Sequence, residues 1–423
     1  MANFASNPSA TFTVADQHLI YQAETGTTID DNFRFVYTVY QDSVSSSNLL
    51  GKFYITANTN EYGFFNLSEV VRDLCAVDVK EEGSNNLIHS FTSNYFTRSN
   101  DNIKKFIVGI GEWNGTTETL DQATSTIHLI DGHFQISDGF EPSFSDYYGT
   151  ASGRTFWLTN RRDVSNTITI DASIEDQGVV AFLNRSTISD VEDFVVKVYN
   201  SSDTLLDTVD IAINTANGAQ LPSASTPTKG FLCYFGIYPG NIAEIDDIFN
   251  NNPTWEYYEV TPFSSPPSQK GNTIRINNKC SPAKQDSVQL GWTNSVGGWD
   301  YLRFDGKKQK TVSREEKTYR KLVGDYAGNA FTFQDFDREI TPYQLEAKET
   351  YQLNSILTIE EVTLLQYCMR SKNVMLRLPL DAKLTSGWVP VTIQTNSMQI
   401  EEETVSKVFI TSFNVELAQP IRC

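Results

Sequence analysis

The residues able to ionise, attack or ligate are widely spaced in this chain. Its four histidines, His18, His89, His128 and His133, all fall in the first third. His128 and His133 share the stretch IHLIDGHFQISDG with Asp131 and Asp138. Successive side chains of a strand point to opposite faces, so a spacing of five separates the two imidazoles. The aspartates do not match the D-x-[DN]-x-[DN]-G calcium loop. Five cysteines, Cys75, Cys233, Cys280, Cys368 and Cys423, never reach a C-x-x-C spacing, which argues against zinc and for free thiols made in a reducing compartment. No G-x-S-x-G, H-E-x-x-H or Walker loop is present. Adjacent carboxylates such as Glu315-Glu316 and Glu360-Glu361 are abundant, but a glycosidase needs two carboxyls facing each other across a cleft. FIVGIGEWNG (106–115) carries Gly109, Gly111 and Gly115, with the third glycine of a dinucleotide fingerprint displaced by one and no helix following. It reads as a strand with glycine where backbones crowd. These residues predict no catalytic centre, no metal site and no cofactor.

The densest chemistry lies in GWTNSVGGWDYLRFDGKKQKT (291–311). Trp292 and Trp299 flank an Asn-Ser-Val-Gly-Gly turn, Tyr301-Leu-Arg303-Phe continues as a strand, and Lys307, Lys308 and Lys310 follow an Asp-Gly turn. Three readings fit: a core hairpin with a basic rim, a protein interface with aromatic anchors, or a stacking platform for single-stranded nucleic acid. Trp292, Trp299, Tyr301, Arg303, Lys307, Lys308 and Lys310 are the candidate interface residues. A net charge of −19 opposes phosphate, so no nucleic-acid partner is expected.

The elements that position these residues read as strands. DNFRFVYTVYQDS (31–43) alternates Phe33, Phe35, Tyr37 and Val39 against more polar neighbours. EDFVVKVYNSSDTLLDTVDIAI (192–213) reads as a hairpin with Phe194, Val196 and Val198 on one face. NLSEVVRDLC (66–75) switches to helical spacing at Leu67, Val70, Val71 and Leu74. SILTIEEVTLLQYCMRSKNV carries a capping box, Thr358 with Glu361, and a stripe of Ile359, Val362, Leu365 and Met369. In WVPVTIQT, Pro390 lacks an N–H, which predicts an edge strand or a strand only beginning there. The fold class is mainly β with a few short helices, in several β-sandwich-like modules.

Length and punctuation divide the chain. At 423 residues it exceeds one ordinary core. We expect an N-terminal module over 1–120, a middle β-rich module over 121–265 and a C-terminal α+β module over 270–423, with PFSSPPSQKGN (262–272) as the linker. Between Lys270 and Lys321 stand twelve basic and five acidic residues, a balance of +7 that leaves −26 elsewhere. Opposite charge on one chain invites head-to-tail or partner contacts, although a solvated basic face is the commoner explanation. The first residues show neither a basic n-region nor an apolar h-region, and no stretch approaches eighteen apolar residues. Neither secretion by a signal peptide nor membrane insertion is expected.

Three stretches carry a resemblance. NFRFVYTVYQDS…GKFYITANTNEYGFFNLSEVVRDL resembles a strand–strand–Tyr-Gly-x-Phe–helix opening, and VQLGWTNSVGGWDYLRFDGKKQKT resembles a W-x-N-x-x-G-G-x-D-Y-x-x-F hairpin. ETYQLNSILTIEEVTLLQYCMRSKNVMLRL, with the WVPVTIQT and VFITSFNVELA strands after it, resembles a strand, capped helix, W-x-P-V strand and final strand. Together they are similar to virion structural proteins of tailed bacteriophages, most like tail-tip or baseplate components of the distal-tail type. The resemblance spans about half the residues, at both ends; about 120–260 lies outside it. It implies a homo-oligomeric, non-enzymatic late protein, made in the host cytoplasm and residing in the virion tail. Its partners would be copies of itself and other tail proteins, with the basic 303–321 segment docking on an acidic neighbouring surface. The alternative is a carbohydrate-binding or carbohydrate-cleaving adhesion protein that contacts host-surface glycan through Trp113, Trp157 and Trp255.

Overall fold

A computed structural model describes residues 1–81, 87–90, 95–99, 102–134, 144–147, 156–183, 191–213, 231–246, 248–264, 268–279, 287–324, 330–332, 334–378, 387–395, 408–418 and 421–422. The protein is mostly β, with several sheets and four α-helices among these residues. None of those helices is long and apolar enough to cross a membrane. The chain forms two units. The first comprises Met1–Cys280, Gly291–Tyr301 and Arg370–Lys372; the second comprises Ser281–Leu290, Leu302–Met369 and Asn373–Cys423.

The first unit begins with two sheets sharing one core. A three-stranded sheet orders Ala2–Ser6, Ile20–Thr25 and Gly63–Asn66. A five-stranded sheet orders Phe12–Asp16, Glu118–His133, Ile103–Trp113, Arg34–Gln41 and Leu49–Ile55. Tyr21 and Phe65 from the first sheet meet Phe35, Tyr37, Phe106 and Leu129 from the second. Arg34–Gln41 is buried at Phe35, Tyr37 and Val39 as its alternation predicts, and also at Val36, Thr38 and Tyr40, so both of its faces are covered. In Ile103–Trp113, a Cβ on Gly109 would collide with Asp121 Oδ1 and Thr38 Oγ1. The glycine is there for packing, in a strand rather than a phosphate loop.

Two further sheets follow in the same unit. One orders Trp157–Leu158, Val180–Leu183, Leu232–Phe235 and Phe96–Arg98; the other orders Thr167–Ala172, Thr273–Asn278, Trp255–Ser264, Asp193–Asn200 and Leu205–Ala212. Phe194 stacks on Trp157 (ring centroids 5.1 Å) and Phe235 (5.1 Å), and Phe156 stacks on Phe182 (5.5 Å). The expected 192–213 hairpin is present, and its turn is held by Asn200 Oδ1, which accepts from the backbone N–H groups of Ser202 and Thr204 at 3.0 Å each.

This pairing corrects the expected boundaries. Position 120/121 falls inside Glu118–His133, and Phe96–Arg98 from the supposed first module pairs in a sheet of the second. The proline-rich 262–272 segment is no linker either, because Trp255–Ser264 and Thr273–Asn278 pair antiparallel around it. Pro262 itself lies within Trp255–Ser264, in register with Phe194. The 221–230 loop lies outside the described residues.

In the second unit, Val374–Arg377, Trp388–Ile393, Val408–Leu417, Ile340–Thr358 and Gln309–Arg320 are hydrogen-bonded in that order. Pro390 lies in an interior strand and not at an edge: it is in register with Met375 on one side, and its carbonyl accepts from Ala418 N at 3.0 Å on the other, just past the register with Val408–Leu417 that begins at Val391. The helix Ile359–Arg370 opens on the expected capping box: Thr358 N donates to Glu361 Oε2 at 2.8 Å, and Glu361 N donates to Thr358 Oγ1 at 3.3 Å. Its buried stripe is Val362, Leu364, Leu365 and Cys368, while Ile359 is exposed, so the apolar face is rotated from the predicted one. Near the amino end, the other predicted helix is one turn, Ser68–Val71, burying Leu67 and Val71 but exposing Leu74.

Phe194→Ala removes the ring on which both Trp157 and Phe235 stack, and is expected to cost about 3–5 kcal/mol. Phe336→Ala, at an exposed ring, is expected to stay within about 0.5 kcal/mol of wild type. Urea unfolding followed by tryptophan fluorescence checks both.

Candidate functional site

The aromatic candidates are core, and the geometry of their turn shows why. Residues 288–304 are buried throughout. Asn294 Oδ1 accepts from the N–H groups of Val296 (3.1 Å) and Gly298 (2.8 Å), while its Nδ2 donates to Leu158 O (2.9 Å). Asn160 and Ser295 exchange two bonds, from Ser295 N (2.9 Å) and from Asn160 Nδ2 to Ser295 Oγ (2.6 Å). Asn102 Nδ2 donates to Gly297 O at 3.1 Å, and His133 N donates to Ser295 O at 3.0 Å. Gly297 has φ +85°, and a Cβ there would stand 2.5 Å from Ile130 Cδ1. Asp300 accepts from Asn160 N (2.8 Å) and from the Thr159 hydroxyl, and burial raises its carboxyl above the ordinary range. A polar turn survives inside a protein only when its groups find partners, and this one is stapled to Asn102, His133 and residues 158–160.

Trp299 Nε1 donates to Asp78 O at 3.3 Å, and its ring meets His89 edge-on at 4.4 Å. The Tyr301 hydroxyl accepts from Val179 N (3.1 Å) and lies 2.7 Å from His89 Nδ1. Trp292, Trp299 and Tyr301 therefore present no surface to a partner. Of the three readings of 291–311, the core hairpin holds for its aromatics. Trp157 and Trp255 are buried as well and offer no ring face to a sugar; Trp113 is half-buried, edge-on to Tyr54 at 6.3 Å.

The basic candidates divide. Arg303 is buried, its Nε donating to Asp305 Oδ1 at 2.5 Å. Lys310 is exposed but reaches Glu349 at 2.7 Å and sits 5.6 Å above the Tyr351 ring. Lys307 is exposed and Lys308 half-buried. Much of the following charge is also paired within the chain, Arg314 with Glu316, Lys348 with Glu315 at 3.2 Å and Arg320 with Glu339 at 3.7 Å. Exposed pairs of this kind contribute about 0–1 kcal/mol each.

What the sequence reading missed is the ribbon these residues belong to. Every residue of Gln309–Arg320 is exposed, and among the described residues the strand pairs only with Ile340–Thr358. Among the described residues, Ile421–Arg422 pairs with Ile340–Thr358 no further out than Glu346, so residues 316–320 and 340–345 form a two-stranded ribbon there. Tyr319, Leu322, Phe331, Phe336, Ile340 and Tyr343 are exposed at its end. The available signal was QKTVSREEKTYR itself, a β-capable run with no apolar alternate face.

Groups that titrate lie elsewhere. Among the described residues no cluster of His, Cys, Asp and Glu is placed to hold a metal. Cys75, Cys233 and Cys368 are buried and form no disulfide, with burial pushing Cys75 up to about 12; Cys280 and Cys423 lie outside the described residues. A polar cleft lined by Asp16, Asp131, His133, Asn294 and Lys372 has room for about one water. Lys372 Nζ bridges to Asp73 at 2.8 Å there, and burial raises the Asp131 carboxyl to about 6.

No family model matches this sequence, and a search of curated proteins finds none similar to it.

Burial holds His89 at about 3, below its ordinary 6.5. The unfolded chain protonates this group first as pH falls, so its share of stability is present above 6.5 and lost towards 3, about 5 kcal/mol in full. Asp131 acts oppositely: the folded state protonates at about 6, before the unfolded state does, so stability is regained on acidification. The histidine's displacement is the larger of the two. Relative to wild type, His89→Asn is expected to flatten the loss of thermal midpoint between pH 6.5 and 4, and Asp131→Asn to steepen it. Calorimetry across that range reads both slopes.

Proposed function

We propose that this chain is a structural component of a tailed-bacteriophage virion, made in the host cytoplasm and built into the tail at the tip, baseplate or connector. It works by shape and contact with copies of itself and neighbouring tail proteins. The observation that carries this reading is the two-stranded ribbon with apolar side chains exposed at its end. An isolated two-stranded ribbon is marginal in water, and a cluster of exposed large apolar residues marks a docking surface. Assembly supplies the missing cover. The resemblance in the opening and closing stretches supports the virion context, and the polar turn locked inside the first unit suits a rigid part that presents surfaces rather than a cleft that closes on substrate.

Mass spectrometry of purified virions, with immunogold labelling of the chain, tests the proposal. The chain is expected in the particle with label on the tail. Its absence from virions, while abundant in lysates of infected cells, would overturn the reading.

A further inference from the structure

We infer that Asn114 is a site of spontaneous backbone modification, where the side-chain amide is lost as ammonia and the chain rejoins through isoaspartate. This stands apart from the tail reading, and either can fail alone.

The hairpin between Ile103–Trp113 and Glu118–His133 supplies the geometry. Trp113 is in register with Glu118, Asn114 N donates to Thr117 O at 3.3 Å, and Gly115 and Thr116 form the turn. Gly115 has φ +86° and Thr116 does not enter that region, the pattern of a type II′ turn with glycine at its first central position. A side chain at 115 is excluded twice, by the positive φ and because its Cβ would stand 2.9 Å from Asn32 Cβ. The fold therefore fixes after Asn114 the one residue whose nitrogen no side chain shields. Both residues are exposed, so water and base reach them.

The side chain is activated at its carbonyl. Asn114 Oδ1 accepts from the N–H groups of Thr116 (3.1 Å) and Thr117 (2.8 Å). Two donors on one carbonyl oxygen polarise Cγ and stabilise the negative charge that the oxygen takes on once a nucleophile adds. Among the described residues no backbone carbonyl accepts from Gly115 N, the adjacent nucleophile. The steps balance without oxidant or cofactor. Gly115 N gives its proton to solvent base and bonds to Asn114 Cγ; the Cγ–Nδ2 bond breaks, and Nδ2 takes up a proton and leaves as ammonia. Water then opens the five-membered imide at either carbonyl, leaving aspartate or isoaspartate. One water enters and one ammonia departs. In isoaspartate the backbone runs one carbon longer through the former side chain, and the oxygen that capped Thr116 and Thr117 becomes a main-chain carbonyl.

Two other asparagines isolate the part played by glycine. Asn58 Oδ1 accepts from Asn60 N and Tyr62 N at 2.9 Å each, and Asn200 Oδ1 from Ser202 N and Thr204 N at 3.0 Å each. They share the polarised carbonyl but precede Thr59 and Ser201, whose side chains crowd the attacking nitrogen. The following residue is the difference, and at 115 the turn dictates it.

The test incubates the full folded chain in mildly alkaline buffer made with heavy-oxygen water and follows its tryptic peptides by mass spectrometry. Asn114, on the peptide between Lys105 and Arg154, is expected to convert at least tenfold faster than Asn58 or Asn200 and to gain one heavy oxygen. Electron-transfer fragmentation is expected to show isoaspartate at that position. The Asn217-Gly218 pair, outside the described residues, falls on a separate peptide between Lys197 and Lys229. Thr59→Gly, at an exposed position, is expected to raise the Asn58 rate at least tenfold. Asn114 that stays intact in the folded chain, over the time in which the urea-unfolded chain loses half of it, overturns the inference. So does conversion no faster than at Asn58 and Asn200, or a Thr59→Gly variant that leaves the Asn58 rate unchanged.

Discussion

A polar turn buried in a protein must find an internal partner for each donor and acceptor or it unfolds its surroundings, and residues 294–300 impose that condition on the first unit. Asn294 closes the turn with two backbone donors and fastens it to Leu158, while Asn102, Asn160 and His133 bind the remainder. Four strands' worth of sequence must be in register before those bonds exist. The leading two-sheet core and the aromatic core around Phe194 both contribute, through Asn102 and His133 on one side and Leu158 and Asn160 on the other. The tryptophans that flank the turn are buried as a consequence of this stapling.

The second unit is arranged on a different principle. Its inner strands and the capped helix bury apolar stripes, but Gln309–Arg320 has no buried face, and its edge carries charges of both signs. Charged edges discourage indiscriminate strand pairing. Exposed aromatic side chains gather at the ribbon's end, while Val312 is the exposed aliphatic side chain within Gln309–Arg320.

Much of this was legible in the sequence. Period-two runs located Arg34–Gln41 and the 193–212 hairpin, and the Thr358–Glu361 box located a helix start to the residue. Those signals are local, and local physics decides them. The boundaries were misread because Phe96–Arg98 and Thr273–Asn278 pair with strands far away in sequence, and proline between two paired strands reads like proline in a linker. The tryptophan hairpin was ambiguous for a related reason. Aromatic residues beside a Gly-Gly turn look the same whether the turn meets solvent, a partner or distant asparagines of its own chain. The ribbon was overlooked because its distinguishing property is a missing apolar face.

The distances spanned by the stapled turn bear on how the protein is born. Trp299 bonds to a backbone 221 positions earlier, and Tyr301 meets His89 across 212. Contacts so far apart fold slowly, because the loop must close before any of them contributes. At about 5–20 residues per second of synthesis, the ribosome needs roughly 10–40 s to pass from residue 89 to residue 301. Throughout that interval Asp78 O and the His89 ring lack the Trp299 contacts they make in the finished fold. The first unit includes Gly291–Tyr301 and Arg370–Lys372, so its last parts emerge only after more than two-thirds of the polypeptide has been made, and its completion is timed by translation.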